Sequence, residues 1–276
     1  MYSDFGYDEK DVLLVEKVGK VAYFTFNRPQ RSNALSRQVI DQMLTELDAL
    51  RNDDTISVIV LKGNGKGFSA GFDVGGDDPE RKAISGVMSD WRRLEKNMDI
   101  FLEFWKYPKP VIAQVHGYCM GGATQLCVCC DIVICADDTR FGFPKMPLGG
   151  GFVGPMWALK VGPSRAKMMD LNAGSEINGI TAEKWNFATK SVPLEELEDE
   201  VKKLAKGIAR TPLDMLTMKK FAVNRIADVQ GFTNCVMFGP EWDAILHFSD
   251  GCLATKAKIK ELGFKEAFKW FNEQEV

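Results

Sequence analysis

The sequence is short of the groups on which several classes of protein depend. Only two of its 276 residues are histidine, His116 and His247, far apart in sequence and not in a ligand motif, so a histidine-based metal centre is poorly supported. No Gly-x-x-x-x-Gly-Lys-Ser/Thr occurs, and no Gly-x-Gly-x-x-Gly is expected to open a helix, which disfavours kinase and dehydrogenase readings. Positive charge is not in surplus: 35 Lys and Arg face 38 Asp and Glu, a net charge of −3. A global basic field for nucleic acid or anionic membrane is therefore excluded, and any basic site must be local. No apolar run approaches the roughly 20 residues needed to span a bilayer. Internal repeats, low-complexity tracts and flexible linkers are also missing, which leaves a plain globular protein.

Seven cysteines are present, an odd number, and Cys119, Cys127, Cys129, Cys130 and Cys135 crowd into one apolar stretch. They lack the spaced pairs of a zinc site, and cysteines so close along one segment rarely meet disulfide geometry. They read as reduced core residues. No apolar leader opens Met1-Tyr2-Ser3-Asp4, so a cytoplasmic location is the expectation, with a trimmed mitochondrial precursor left open.

The hydrophobic content of 45% is ordinary for a packed core. Residues 12–16 and 21–26 read as strands joined by a hairpin turn at Gly19. Ser36 is a candidate N-cap for a helix in which Val39, Ile40, Met43, Leu44, Leu47 and Leu50 recur at helical spacing. The run Ile56 to Leu61 suits a strand buried on both faces of a parallel sheet. After a glycine-rich stretch from Gly63 to Gly76, a long helical pattern through Trp91, Leu94, Met98, Phe101 and Trp105 stops before Pro108. A strand at 111–115 runs into His116-Gly117-Tyr118-Cys119-Met120-Gly121-Gly122 and then a helix from Ala123 to Cys130. A strand at 132–135 precedes a second Gly- and Pro-rich loop from Phe141 to Gly154. Ser164 is expected to cap a helix through Met169, residues 195–209 form another, and most of the chain from Pro212 is helical. The expected layout is an α/β core over residues 1–200 and a helical part over 201–276.

Glycine lets backbone approach a ligand closely, and an N–H left unpaired there can donate to it. Two places offer this: Phe68-Ser69-Ala70-Gly71-Phe72-Asp73 after a buried strand, and Gly121-Gly122 at the start of a helix. One N–H from each could converge on a single oxygen and stabilise an enolate formed from a thioester. Each stretch could equally be only a tight turn. His116, ending an apolar strand, reads as a packed, hydrogen-bonded residue.

Taken in order, Asn27-Arg28-Pro29 with Asn33-Ala34-Leu35, Phe68 to Asp73, Pro108 to Ala113, His116 to Gly122, Cys130 to Ala136 and Phe141-Gly142 resemble the crotonase, or enoyl-CoA hydratase/isomerase, superfamily over nearly the full length. The resemblance implies an α/β spiral of ββα units, a helical C-terminal trimerisation region, and a homotrimer or a hexamer built as a dimer of trimers. It implies an acyl-CoA substrate, with coenzyme A entering as part of that substrate and no prosthetic group. It assigns the two oxyanion donors to the N–H groups of Phe72 and Gly122. It also assigns the coenzyme A contacts to Ser69, Ala70, Gly71, Phe72 and Asp73, with Arg28 near the phosphates.

The pattern departs from the superfamily at two positions. Where its hydratases carry paired glutamates, this chain has Gln125 and Lys145. Glutamine can hydrogen-bond a water or substrate but cannot take its proton. Lys145 could point to solvent, pair with a substrate carboxylate, or act as a desolvated base. Asp73, Glu241 and Asp243 are the acids that could substitute, the last two being equally readable as a solvated helix face. Gly149, Gly150 and Gly151 are expected to shape the acyl end, with Phe143, Met146, Phe152 and Trp157 either lining it or packed in the core. Three readings result. The first is a lyase or isomerase working through an enolate. The second is a decarboxylase or carbon–carbon bond hydrolase of a dicarboxylic or keto thioester, and the third a non-catalytic thioester- or RNA-binding protein.

Overall fold

The computed structural model describes residues 11–73, 79–143, 145–146, 148–149 and 153–273. Strands β1 (Leu13–Val18) and β2 (Val21–Phe26) form the expected antiparallel hairpin, turning at Gly19 with φ +56°. Helix α1 (Arg37–Arg51) starts where the Ser36 side chain accepts the Val39 N–H, and it buries Val39, Ile40, Met43, Leu47 and Leu50. Then come β3 (Val58–Gly63), the single turn α2 (Pro79–Lys82) and the 20-residue α3 (Val87–Lys106). Next are β4 (Val111–Val115), β5 (Tyr118–Met120), α4 (Gly122–Cys129), β6 (Ile132–Ala136) and β7 (Arg140–Gly142). Helices α5 (Val153–Val161) and α6 (Pro163–Asp170) precede β8 (Glu176–Ile177), α7 (Gly179–Lys184), β9 (Lys190–Val192) and α8 (Leu194–Ile208). The chain ends in α9 (Leu213–Val229), α10 (Phe232–His247), α11 (Asp250–Leu262) and α12 (Phe264–Asn272).

One sheet runs β1-β2-β3-β4-β6-β9 and is parallel throughout after the hairpin. The second, β5-β7-β8, is smaller, and single bridges pair Ser69 with Cys119 and Leu35 with Phe72. Alternation along β3 explains its continuous apolar run. Ile59 and Leu61 join the large core with α1 and α3, while Val58 and Val60 face the other way onto Leu197, Val201 and Ala205 of α8. Helix α8 thus crosses residue 200 while still packing on the sheet. All seven cysteines are free thiols; the five crowded ones are buried, and the Cys119 and Cys127 sulfurs lie 3.7 Å apart.

Two local expectations are corrected. Ser164 is not the cap of α6: Gly162, at φ +81°, takes that place, and Pro163 fills the first helical position. The loop from Phe141 also ends earlier than its glycines suggested, because α5 begins at Val153 and includes Gly154-Pro155 in its first turn, where a missing N–H costs nothing. The glycines at 149, 151 and 154 therefore do carry Gly-x-Gly-x-x-Gly spacing into a helix, but β7 ends seven residues earlier, so the strand–turn–helix context of a dinucleotide loop is missing. Gly76, Gly150, Gly151 and Phe152 lie outside the described residues. Among the described residues, no helix is long and apolar enough to cross a membrane.

Candidate active site

The two glycine loops meet. Leu35 donates to the Gly71 carbonyl and Asp73 to the Leu35 carbonyl, which fixes the backbone on both sides of Phe72 but leaves the Phe72 N–H without a partner among the described residues. Gly122 opens α4, and its N–H likewise donates to nothing described, whereas the Gly121 N–H is used by the Gly142 carbonyl. Gly71 brings these segments together. It sits at φ +89°, and a β-carbon built on it would lie 2.6 Å from the Met120 carbonyl oxygen and 2.9 Å from the Gly122 nitrogen. The Phe72 ring covers Gly122, where a β-carbon would fall 2.5 Å from the ring, and it stacks on Phe101 of α3 at 5.6 Å between centroids.

The turn at Gly121 is clamped from behind. Thr124 Oγ1 donates to the Gly121 carbonyl at 2.7 Å and accepts the Trp157 indole N–H at 2.9 Å. Trp157 is fully buried and stacks on Phe187; Phe143 and Met146 are buried too, so these three belong to the core. One turn into α4, Gln125 is completely buried. Its Nε2 reaches the Met156 sulfur at 3.4 Å, and its Oε1 has no hydrogen-bond partner.

The remaining expected site residues separate. Ser69 is buried and turns its hydroxyl inward to accept the Gly71 N–H at 3.1 Å, while Ala70 is exposed. Arg28 donates to the Ala34 carbonyl and to Asp73 Oδ2 at 3.0 Å, so guanidinium and carboxylate neutralise each other in a half-buried pair. Lys145 is exposed, its Nζ 6.0 Å from the centre of the Phe268 ring. Glu241 also faces solvent, whereas Asp243, two residues on and turned to the other side of α10, is buried.

Asp243 belongs to a cluster that the sequence did not reveal. Its Oδ2 lies 3.6 Å from His247 Nε2, and His247 Nδ1 lies 2.5 Å from Asp90 Oδ2 on α3. The other Asp90 oxygen accepts the Arg93 Nε at 3.0 Å and Nη2 at 2.7 Å. Burial pushes the Asp90 carboxyl up, but the hydrogen bonds from His247 and Arg93 and the charge of Arg93 prevail and hold it below its ordinary range. Asp170 at the end of α6 is moved the other way, upward, by burial and then by the charge of Asp243. Asp90 and His247 are 157 residues apart, and no spacing motif connects them. Only the apolar setting of each polar residue could have hinted at a partner. Among the described residues no three His, Cys, Asp or Glu side chains are placed to hold a metal ion.

An α/β fold in which two glycine loops bring two unused N–H groups close together is the arrangement expected of a crotonase-type enzyme. The sequence profile described as enoyl-CoA hydratase/isomerase matches residues 16–236. A crystal structure assigned to the enoyl-CoA hydratase/isomerases from Novosphingobium aromaticivorans is 32% identical, with TM-score 0.88 and 94% of each chain covered. An enoyl-CoA hydratase/isomerase structure from Xanthobacter autotrophicus is 29% identical with TM-score 0.86, covering 94% of this chain and 96% of that one. The 2,3-dehydroadipyl-CoA hydratase of Escherichia coli is 31% identical over 217 residues, 75% of this chain and 80% of that protein. The chain belongs to the enoyl-CoA hydratase/isomerase family.

Proposed function

We propose that this enzyme binds an acyl-CoA thioester with its carbonyl oxygen between the N–H groups of Phe72 and Gly122, which stabilise the enolate formed during reaction at the α-carbon. The observation that carries this reading is the pair of unused N–H groups drawn together at Gly71. One such donor contributes about 3–4 kcal/mol to a transition state, and the N-terminal end of α4 adds its positive dipole. The exposed Ala70 loop suits the nucleotide end of coenzyme A, with Ser69 and Gly71 setting its shape and the Arg28–Asp73 pair beside it. Gln125 offers hydrogen bonds to the acyl part but no proton transfer. A dicarboxylic acyl group is less well served, since Lys145 turns to solvent and the buried charges near Gly149 include the carboxylate of Asp243.

The same reading includes self-association in trimers and a cytoplasmic location. Met218, Val223, Ile226 and Val229 of α9 and Phe238 and Trp242 of α10 are exposed apolar residues, which supports burial against further copies. Seven unpaired thiols suit a reducing compartment. Sedimentation equilibrium distinguishes the states: a trimer or hexamer is expected, and a monomer at micromolar concentration would refute that part.

The chemical test is incubation with enoyl-, β-hydroxyacyl-, β-keto- and dicarboxylic CoA thioesters in deuterated water, read by mass spectrometry. Deuterium at the α-carbon or a new product is expected. Gly122→Ala, whose β-carbon would strike the Phe72 ring, should reduce turnover about 10²- to 10³-fold. Binding without exchange or conversion in the unaltered protein would replace the enzymatic reading by that of a thioester-binding protein.

A further inference from the structure

The Asn33-Ala34-Leu35 motif has so far been given no task, yet the Asn33 side chain is fully used. It is 1% exposed, and its φ of +52° lies in the left-handed region that asparagine tolerates better than most residues. Oδ1 accepts the Arg28 N–H at 2.9 Å, while Nδ2 donates to the carbonyls of Asn64 and Gly67, each at 2.8 Å. One acceptor and two donors at the end of so short a side chain require a carboxamide: an ionised aspartate has no donor, and a hydroxyl has one. Glutamine carries the same groups a methylene further out.

From Asn33, two lines of backbone hydrogen bonds lead to the two unused N–H groups. The first follows its own segment. The Ser32 carbonyl accepts from Ala70 at 2.9 Å, Leu35 donates to Gly71 at 2.8 Å and accepts from Asp73 at 3.3 Å, and Phe72 is held between. The second runs through Gly67. Its neighbour Phe68 donates to the His116 and Tyr118 carbonyls at 3.0 Å, Ser69 donates to Tyr118 at 3.2 Å, and Met120 donates back to Ser69 at 3.0 Å, two residues before Gly122. That line has little slack, since a β-carbon on Gly117 would collide with the Lys66 carbonyl and one on Gly67 would lie 2.6 Å from the Tyr118 ring.

We propose that Asn33 is a positioning residue of the oxyanion site: by tying residues 64–67 to the turn at Arg28, it sets the spacing of the Phe72 and Gly122 N–H groups. This rests on the enolate reading above. Preorganised donors work by standing in place before charge develops, so a displaced donor costs rate even where the fold survives. Asn33 acts on the thioester only through these two donors, which makes the bound carbonyl itself the reporter.

The test records infrared difference spectra of saturating butanoyl-CoA, isotope-labelled at its thioester carbonyl carbon, on the unaltered protein, Asn33→Asp, Asn33→Gly and Tyr107→Phe. Turnover of whichever thioester the unaltered protein converts is measured beside it, and stability by urea unfolding. In the unaltered protein, two donors on the carbonyl oxygen should move its stretch to lower wavenumber than in the free thioester. Asn33→Asp keeps the acceptor for Arg28 but sets a carboxylate against two carbonyls, and it should lose much of that shift and about 10- to 10²-fold in kcat. Asn33→Gly, which adopts the same backbone without strain, should fall between the two and carries the comparison if Asn33→Asp does not fold. Tyr107→Phe removes a buried hydrogen bond to the Leu47 carbonyl on α1, and it should lose stability but keep both shift and rate. Asn33 variants with the stretch and rate of the unaltered protein overturn the proposal and leave the enolate reading standing. So does an equal loss in Tyr107→Phe, which would make the effect one of general loosening. A carbonyl left unshifted by the unaltered protein removes both.

Discussion

Asp170 shows how a single side chain can work against the fold that holds it. Its carboxyl is raised by burial and by Asp243, so the folded protein holds this proton more tightly than the unfolded chain does. Such a group favours folding most below the unfolded carboxylate pKa, and that contribution is lost as pH rises through the folded value. Because Asp170 still presents much of its surface to solvent, the effect is small: Asp170→Asn is expected to raise the melting temperature slightly at pH 7 and to change it less at pH 4. Equal shifts at both pH values would show that the charge is not what matters. The same scale shows the limits of sequence. Gln125 and Lys145 were legible as departures, because a family pattern exists to compare them with. The Asp90–His247 contact was not, since its two partners lie 157 residues apart in the chain.

At the scale of elements, the clamp from Trp157 through Thr124 to Gly121 makes α5 a support for the start of α4. Trp157→Phe keeps most of the stacking on Phe187 but removes the N–H, leaving Thr124 with one partner fewer. A loss of about 1–2 kcal/mol in urea unfolding is expected, with a fall in turnover as the Gly121 turn loosens. A melting curve and rate identical to those of the unaltered protein would show that the clamp is idle. Helix α1 and strands β2 to β4 were readable because their cues are local: a serine cap, a helical stripe, short β-branched runs. Helix α5 was not, because Gly154-Pro155 reads as a chain break unless one knows that it sits in a first turn. The strands β8 and β9, two and three residues long, carry too little pattern to register at all.

Across the whole molecule, the large core and the smaller one under α8 lie on either side of the six-stranded sheet, and α9 and α10 keep apolar residues exposed beyond it. Most of the cysteines lie within that large core. Burial moves the thiols of Cys129 and Cys135 up to about 12 and that of Cys127 well above its ordinary value, where almost no thiolate exists at neutral pH. Cys235 is partly exposed and Cys252 keeps 8% of its surface open, whereas the crowded five are at most 1% exposed. These sulfurs are thus a clock for the opening of the protein. An alkylating reagent should tag Cys235 first and then, in one concerted burst whose rate equals that of global unfolding, the crowded five, so that a mass spectrum taken over time counts open molecules one by one.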